Sequence, residues 1–349
     1  MDIETLAIKT IENLSIAPGQ VISIWASTHS LDFIAALAYH IRERGAFWTV
    51  RLIMDPLLLR IGKELPQEYL GLVPEHELRW LNDISAIIEV RDHGGHIPGV
   101  EITRRRAMTA EWIALMDQAE RRGCRRFIVI NPTQALADAY GVPLDVLQHR
   151  YWQALNIDDA ALDSSQNQVA QQIANGQDVH ITTPMGTDLY LRIGGRPIYQ
   201  DHNGLPRGEV YVAPLEDSAE GVAVIDRAFI RGQLVVQLKL TFERGQVVHI
   251  DAPKAETIHL IEELLAASSG DMDRIAELGL GLNPGVTELT GDALLDEKLN
   301  GSIHIAIGMN DSFGGQNHSN LHLDLVMLHP SLWLDGRLIY LPGGMVGQF

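Results

Sequence analysis

Between Ala276 and Leu328, three strand-like runs set polar side chains against apolar ones with period two. In HLDLVML, Leu321, Leu323 and Leu325 share one face, and His322 and Asp324 share the other, because successive strand side chains point to opposite sides. In GSIHIAIG, Ile303, Ile305 and Ile307 lie on one face and His304 points away from them. In RIAELGLG, Glu277 stands opposite Ala276 and Leu278. A strand whose alternate residues are all Leu or Ile must bury that face. Its polar residues are then held on a structured surface. Burying a carboxylate is costly unless it is paired or holds a metal, so the pattern is a candidate site as well as a fold signal.

A lone His-x-Asp on a strand is more often a satisfied core pair than a ligand set. His304 and Glu277 shift that balance, since imidazole and carboxylate together suit zinc, cobalt, manganese or iron(II). Glu209, in LPRGEVYVAP, adds a carboxylate on the strand face shared with Tyr211. Three carboxylates and two imidazoles have room for two adjacent metals, because carboxylates can bridge.

Composition narrows the partners. The net charge of −18 argues against nucleic acid, which needs a Lys/Arg surface, and against anionic membranes. One cysteine, Cys124, leaves no intramolecular disulfide and no thiolate cage. No apolar run approaches the ~20 residues of a membrane span. The opening MDIETLAIKTIENLSI has no basic-then-apolar leader pattern. A cytoplasmic location is the expectation.

The 349 residues exceed one ordinary core and point to two domains. VISIWAS (21–27), FWTVRLIMD (47–55), SAIIEVR (85–91) and RRFIVINP (125–132) read as strands alternating with helices. That is the signature of an α/β domain with a parallel sheet, placed at 1–165. It carries neither a GxGxxG fingerprint nor a P-loop, so no nucleotide is assigned. From about 179 the pattern becomes strand-rich, with hairpin turns at Met185-Gly186 and Arg244-Gly245. This α+β domain, 166–349, carries the candidate metal site, and the linker falls within 150–178.

GEVYVAP, AELGLGLNPG, LxDEKxxGSIHIAIG and GGxNxSxLHLDLV, in that order, resemble the aminopeptidase T and aminopeptidase S family of metallopeptidases. The resemblance is strong over about 180–345 and weak before it. It implies that Glu209, Glu277, His304, His322 and Asp324 bind two divalent metals (zinc, cobalt or manganese) in each chain. It also implies that the chain acts on peptides, and that it forms homodimers with the site near the subunit contact. Two departures stand out. Some members carry two adjacent glutamates before the valine, one acting as general base, where this chain has Gly208-Glu209. Members also carry a tyrosine seven residues after the HIALG histidine, and here that place is Asp311. The general base is therefore left unassigned. A related branch, the 2,5-dihydroxypyridine dioxygenases, uses two histidines and one aspartate for iron(II). A histidine stands there in place of Glu277, which favours the peptidase branch. The third reading is a non-catalytic small-molecule binder on the same fold.

The remaining polar motifs have plainer readings. Asp292, Asp296 and Glu297 read as helix or turn surface, with Glu297 reaching the site as the minor alternative, and Asn317 and His318 as solvated loop. His29 reads as a cap or surface histidine, and Asp92, His93 and His96 as a turn. No G-x-S-x-G elbow supports a serine nucleophile.

Overall fold

The computed structural model describes residues 2–93, 99–230, 233–341 and 344–345. His96 lies outside them. The chain forms two compact units: Met1–Tyr151 with His202–Pro206, and Trp152–Asp201 with Arg207–Phe349. The 165/166 join expected from sequence falls inside a helix, Asp159–Ile173. Leu162, Val169 and Ile173 of that helix belong to the core of the second unit.

In the first unit, β1 (Val21–Ser27), β2 (Phe47–Ile53), β3 (Ala86–Arg91) and β4 (Arg125–Ile130) form a sheet of order β2-β1-β3-β4-β8. Its last member is the two-residue β8 (Gly204–Leu205). Every pairing in it is parallel. Ile22, Ile24, Ile87, Ile88 and Val129 are wholly buried, as expected where both faces of a parallel sheet are covered. The helix Leu31–Glu43 buries Phe33, Leu37 and Ile41, which recur at i, i+4 and i+8.

The second unit holds two antiparallel sheets. The larger contains β5 (Asp178–Thr182), β6 (Asp188–Arg192), β10 (Glu220–Ile230), β11 (Gln233–Glu243), β12 (Gln246–Asp251), β16 (Ser331–Leu334), β17 (Arg337–Leu341) and β18 (Gly344–Met345). Its order is β12-β11-β10-β6-β5-β16-β17-β18. The smaller contains β7 (Ile198–Gln200), β9 (Glu209–Val212), β13 (Ile275–Gly281), β14 (Ile303–Gly308) and β15 (His322–Met327), in the order β15-β14-β13-β9-β7. Both expected hairpins form. β5 pairs β6 across Met185-Gly186. β11 pairs β12 across Arg244-Gly245, whose φ values of 47° and 78° suit a primed two-residue turn.

Leu278, Leu280, Ile303, Ile305, Ile307, Leu325 and Met327 of the smaller sheet share one core with Leu189, Leu191, Ile225, Leu238 and Leu240 of the larger. Burying a Leu or Ile fully stabilises by about 1.5–3 kcal/mol. A one-residue slip of β14 would turn its three isoleucines outward and His304 inward, losing several such increments. The apolar face therefore fixes the register, and the register fixes which side chains share the opposite face.

Candidate metal centre

Ladder pairing lines up the polar face residue by residue. Glu277 of β13 pairs with Ala306 of β14, which pairs with Asp324 of β15. Gly279 lies between His304 and Tyr211, Gly281 pairs with Glu209, and Gly308 with His322. Small residues therefore alternate with the long polar ones, and the gaps let side chains from four strands lean together. At Gly279 the fit is tight: a Cβ there would lie 2.1 Å from the His304 ring.

All five residues singled out in the sequence converge. His304 Nε2 lies 3.2 Å from Glu277 Oε1 and 3.4 Å from Glu209 Oε2. His322 Nε2 lies 3.3 Å from Glu277 Oε2 and 3.2 Å from Asp324 Oδ1. Their ligand atoms form two clusters, Glu209–Glu277–His304 and Glu277–His322–Asp324, each within 4.8 Å. Glu277 belongs to both and presents one oxygen to each. His322 Nδ1 donates to Met309 O at 2.7 Å, which turns Nε2 toward the carboxylates, the usual second contact of a ligating imidazole.

The electrostatics match a cation site. Burial opposes ionisation of Glu277, but hydrogen bonds from His304 and His322 outweigh it and hold its pKa below the ordinary value. Burial likewise opposes ionisation of Asp324, yet the His322 charge and hydrogen bond draw it down to about 2. Burial alone would lower His304, but its hydrogen bond to Glu277 and the Glu209 charge raise it to about 9. His322 is raised too, because the adjacent Asp324 outweighs the effect of burial. Glu209 is raised by burial and by the Glu297 charge, and its Oε2 has no hydrogen-bond partner. Protonated imidazoles set among carboxylates are the charge arrangement that a divalent cation can replace. The donor set of oxygen and imidazole nitrogen therefore fits zinc, cobalt, manganese or iron(II).

Lys298 and Asp201 escaped the sequence reading, and Glu297, Asp292 and Asp296 read chiefly as surface; all five are buried. Lys298, read only as part of a motif, has its ammonium 3.0 Å from Glu209 Oε1, 2.9 Å from Asp201 Oδ2 and 2.7 Å from Glu297 Oε1. Glu297 is therefore beside the site and not on the surface. Burial, with the Asp324 charge adding to it, raises its pKa to about 7. Asp292 and Asp296 are buried as well. Asp292 caps Leu294 N at 3.0 Å, and Asp296 accepts from Thr290 and Gly291. The one available signal was a run of charge between the apolar Leu294-Leu295 and Leu299, and surface helices show the same pattern.

Both departures from the family pattern fall within the described residues. Gly208 has φ 137°, and a Cβ there would lie 2.6 Å from Asn283 Cβ, so a second glutamate does not fit this backbone. Asp311 pairs with His318 Nδ1 at 2.5 Å. Asn317 is buried and donates to Ile275 O at 2.9 Å, so it pins the loop. Tyr211, on the ligand face, stacks on Tyr199 and packs edge-on against Phe313, which in turn packs against His322. In the first unit, His29 pairs with Asp55 at 3.1 Å, and His93 Nδ1 with the buried Asp92 at 2.7 Å.

The sequence signature of the thermophilic metalloproteases (M29) matches residues 5–337. The chain belongs to that family. It is 26% identical to aminopeptidase T of Thermus aquaticus over 390 aligned positions, covering 93% of this chain and 91% of the relative. A 2,5-dihydroxypyridine 5,6-dioxygenase of Pseudomonas putida is 24% identical over 50% of this chain and 55% of its own length. The fold matches wild-type AmpT from Thermus thermophilus with a TM-score of 0.82, at 22% identity and 99% coverage of both chains. Among the described residues, no helix is long and apolar enough to cross a membrane.

Proposed function

We propose that the protein is a metal-dependent aminopeptidase that releases the N-terminal residue of peptides. In this reading Glu209, Glu277, His304, His322 and Asp324 hold two divalent ions, with Glu277 common to both. The observation that carries it is the double membership of Glu277, whose two oxygens face two separate imidazoles. Membership in a metalloprotease family and likeness to aminopeptidases over nearly the whole chain support the same reading. Bound divalent ions would polarise the scissile carbonyl and make water nucleophilic at neutral pH. The chain's own part is orientation. Met309 O fixes the His322 tautomer, Lys298 holds one oxygen of Glu209, and the carboxylates draw the α-ammonium of a peptide toward the site. Protein supplied with cobalt, zinc or manganese should free the first residue of short peptides and leave N-acetylated peptides intact. Failure to cleave any peptide under these conditions removes the proposal.

A second reading, an iron(II) ring-opening dioxygenase, draws on the likeness to the dihydroxypyridine dioxygenase and on Asp311 in place of a tyrosine. Glu277 weighs against it, because a two-histidine, one-aspartate triad has no place for that carboxylate. Oxygen uptake with a dihydroxylated aromatic, with peptides left uncut, would favour it.

A further inference from the structure

Among the described residues, Lys298 is the only lysine or arginine paired with a carboxylate of the candidate centre, and its side chain is 5% exposed. Among the described residues its bonds go to Asp201, Glu209 and Glu297. Only Glu209 belongs to a ligand cluster, and only to one of them. The ammonium holds Glu209 Oε1, so Oε2 is the oxygen left for a metal. Glu277, His322 and Asp324 are not bonded to Lys298.

We infer that Lys298 is a positioning residue that makes the two cation positions unequal. Glu277–His322–Asp324 fills first and tightly, and Glu209–Glu277–His304 fills second and exchanges readily. The inference rests on the two-ion reading above. Its physical basis is that a divalent ion beside Glu209 shares that carboxylate with a fixed ammonium and is repelled by it. In a buried site such repulsion is weakly screened. The Glu277–His322–Asp324 position has two carboxylates that Lys298 does not bond; the ammonium's charge reaches Asp324, but neither carboxylate is shared with it.

The test is a Co2+ titration of the full chain after chelator stripping, followed by calorimetry and by absorption, with anomalous diffraction at one equivalent. Two steps separated by at least ~10-fold in Kd are expected, with the first ion on Glu277, His322 and Asp324. Two ions of equal affinity, or a first ion on Glu209, overturn the inference and leave the two-ion reading intact. A single ion at saturation, or none, overturns the two-ion reading itself. Lys298→Arg keeps a cation and should keep the gap, whereas Lys298→Met should narrow it by tightening the second step. An unchanged gap in folded Lys298→Met also overturns the inference. If Lys298→Met does not fold, the wild-type filling order still decides.

Discussion

Gly279→Ala tests whether the polar face is packed as tightly as its ladder implies. The new methyl carbon would lie 2.1 Å from both Cε1 and Nε2 of His304. Ordinary carbon contacts are about 3.5–4.0 Å, so the ring must retreat by well over an ångström. His304 is wholly buried, and its backbone is held in the ladder between Gly279 and Val326. Overpacking of this kind costs about 1–3 kcal/mol. Ligand bonds to zinc are about 2.0–2.2 Å, and a 1 Å misplacement costs on the order of 100-fold in rate. Gly279→Ala should therefore lower stability by that amount, weaken metal binding and cut any peptidase activity about 100-fold. The assays are denaturant unfolding, metal content after gel filtration, and peptide hydrolysis. A double-mutant cycle isolates the cause. With His304→Ala in place the methyl meets no ring, and the stability cost should fall by at least about 1 kcal/mol. If Gly279→Ala costs the same with and without the His304 ring, the packing argument is refuted.

Other expectations follow from the same geometry. His322→Ala should lose metal while unfolding of the first unit stays unchanged, because His322 lies wholly outside that unit. Full metal content in the variant would refute the ligand assignment. Gly208→Glu, which restores the family's paired glutamates, should destabilise by at least about 2 kcal/mol through backbone strain and collision with Asn283. A stable, more active variant would show that the backbone adapts. The Asp92–His93 pair should give the first unit a pH-dependent stability. Burial pushes the Asp92 carboxyl up, but hydrogen bonds from His93, Ser30 and Ser27 hold it below its ordinary 3.8. The hydrogen bond to Asp92 raises His93 above its ordinary 6.5. The Asp92 contribution is complete above pH 3.8 and fades as pH falls through the depressed value. The His93 contribution is complete below pH 6.5 and fades as pH rises through the elevated one. The stabilisation should therefore span pH 3.8 to 6.5. Asp92→Asn should flatten it in unfolding curves taken at pH 5 and pH 9, and an unaltered profile would count against the pair.

What the sequence determined by itself was orientation along each strand. Period-two alternation in β13, β14 and β15 put Glu277, His304, His322 and Asp324 opposite the leucines and isoleucines that had to be buried. The same rule placed Glu209 with Tyr211. The βα alternation likewise announced the parallel sheet, and Met185-Gly186 and Arg244-Gly245 announced their hairpins. Tertiary structure decided everything that depends on which strands are neighbours. Gly279 is a spacer for His304 only because β13 lies beside β14 in one register. Glu277 is shared between two clusters only because β14 and β15 bring an imidazole to each of its oxygens. Glu297, Asp292 and Asp296 resembled a solvated helix end, because charge in a short segment reads alike on a surface and in a network, and Lys298 stood out only as part of a motif. Lys298 is fixed by distant partners: its ammonium meets Asp201 and Glu209, residues with no sequence periodicity in common with it. Alternation is a property of one strand and is written in it, whereas burial and pairing belong to the assembled sheets.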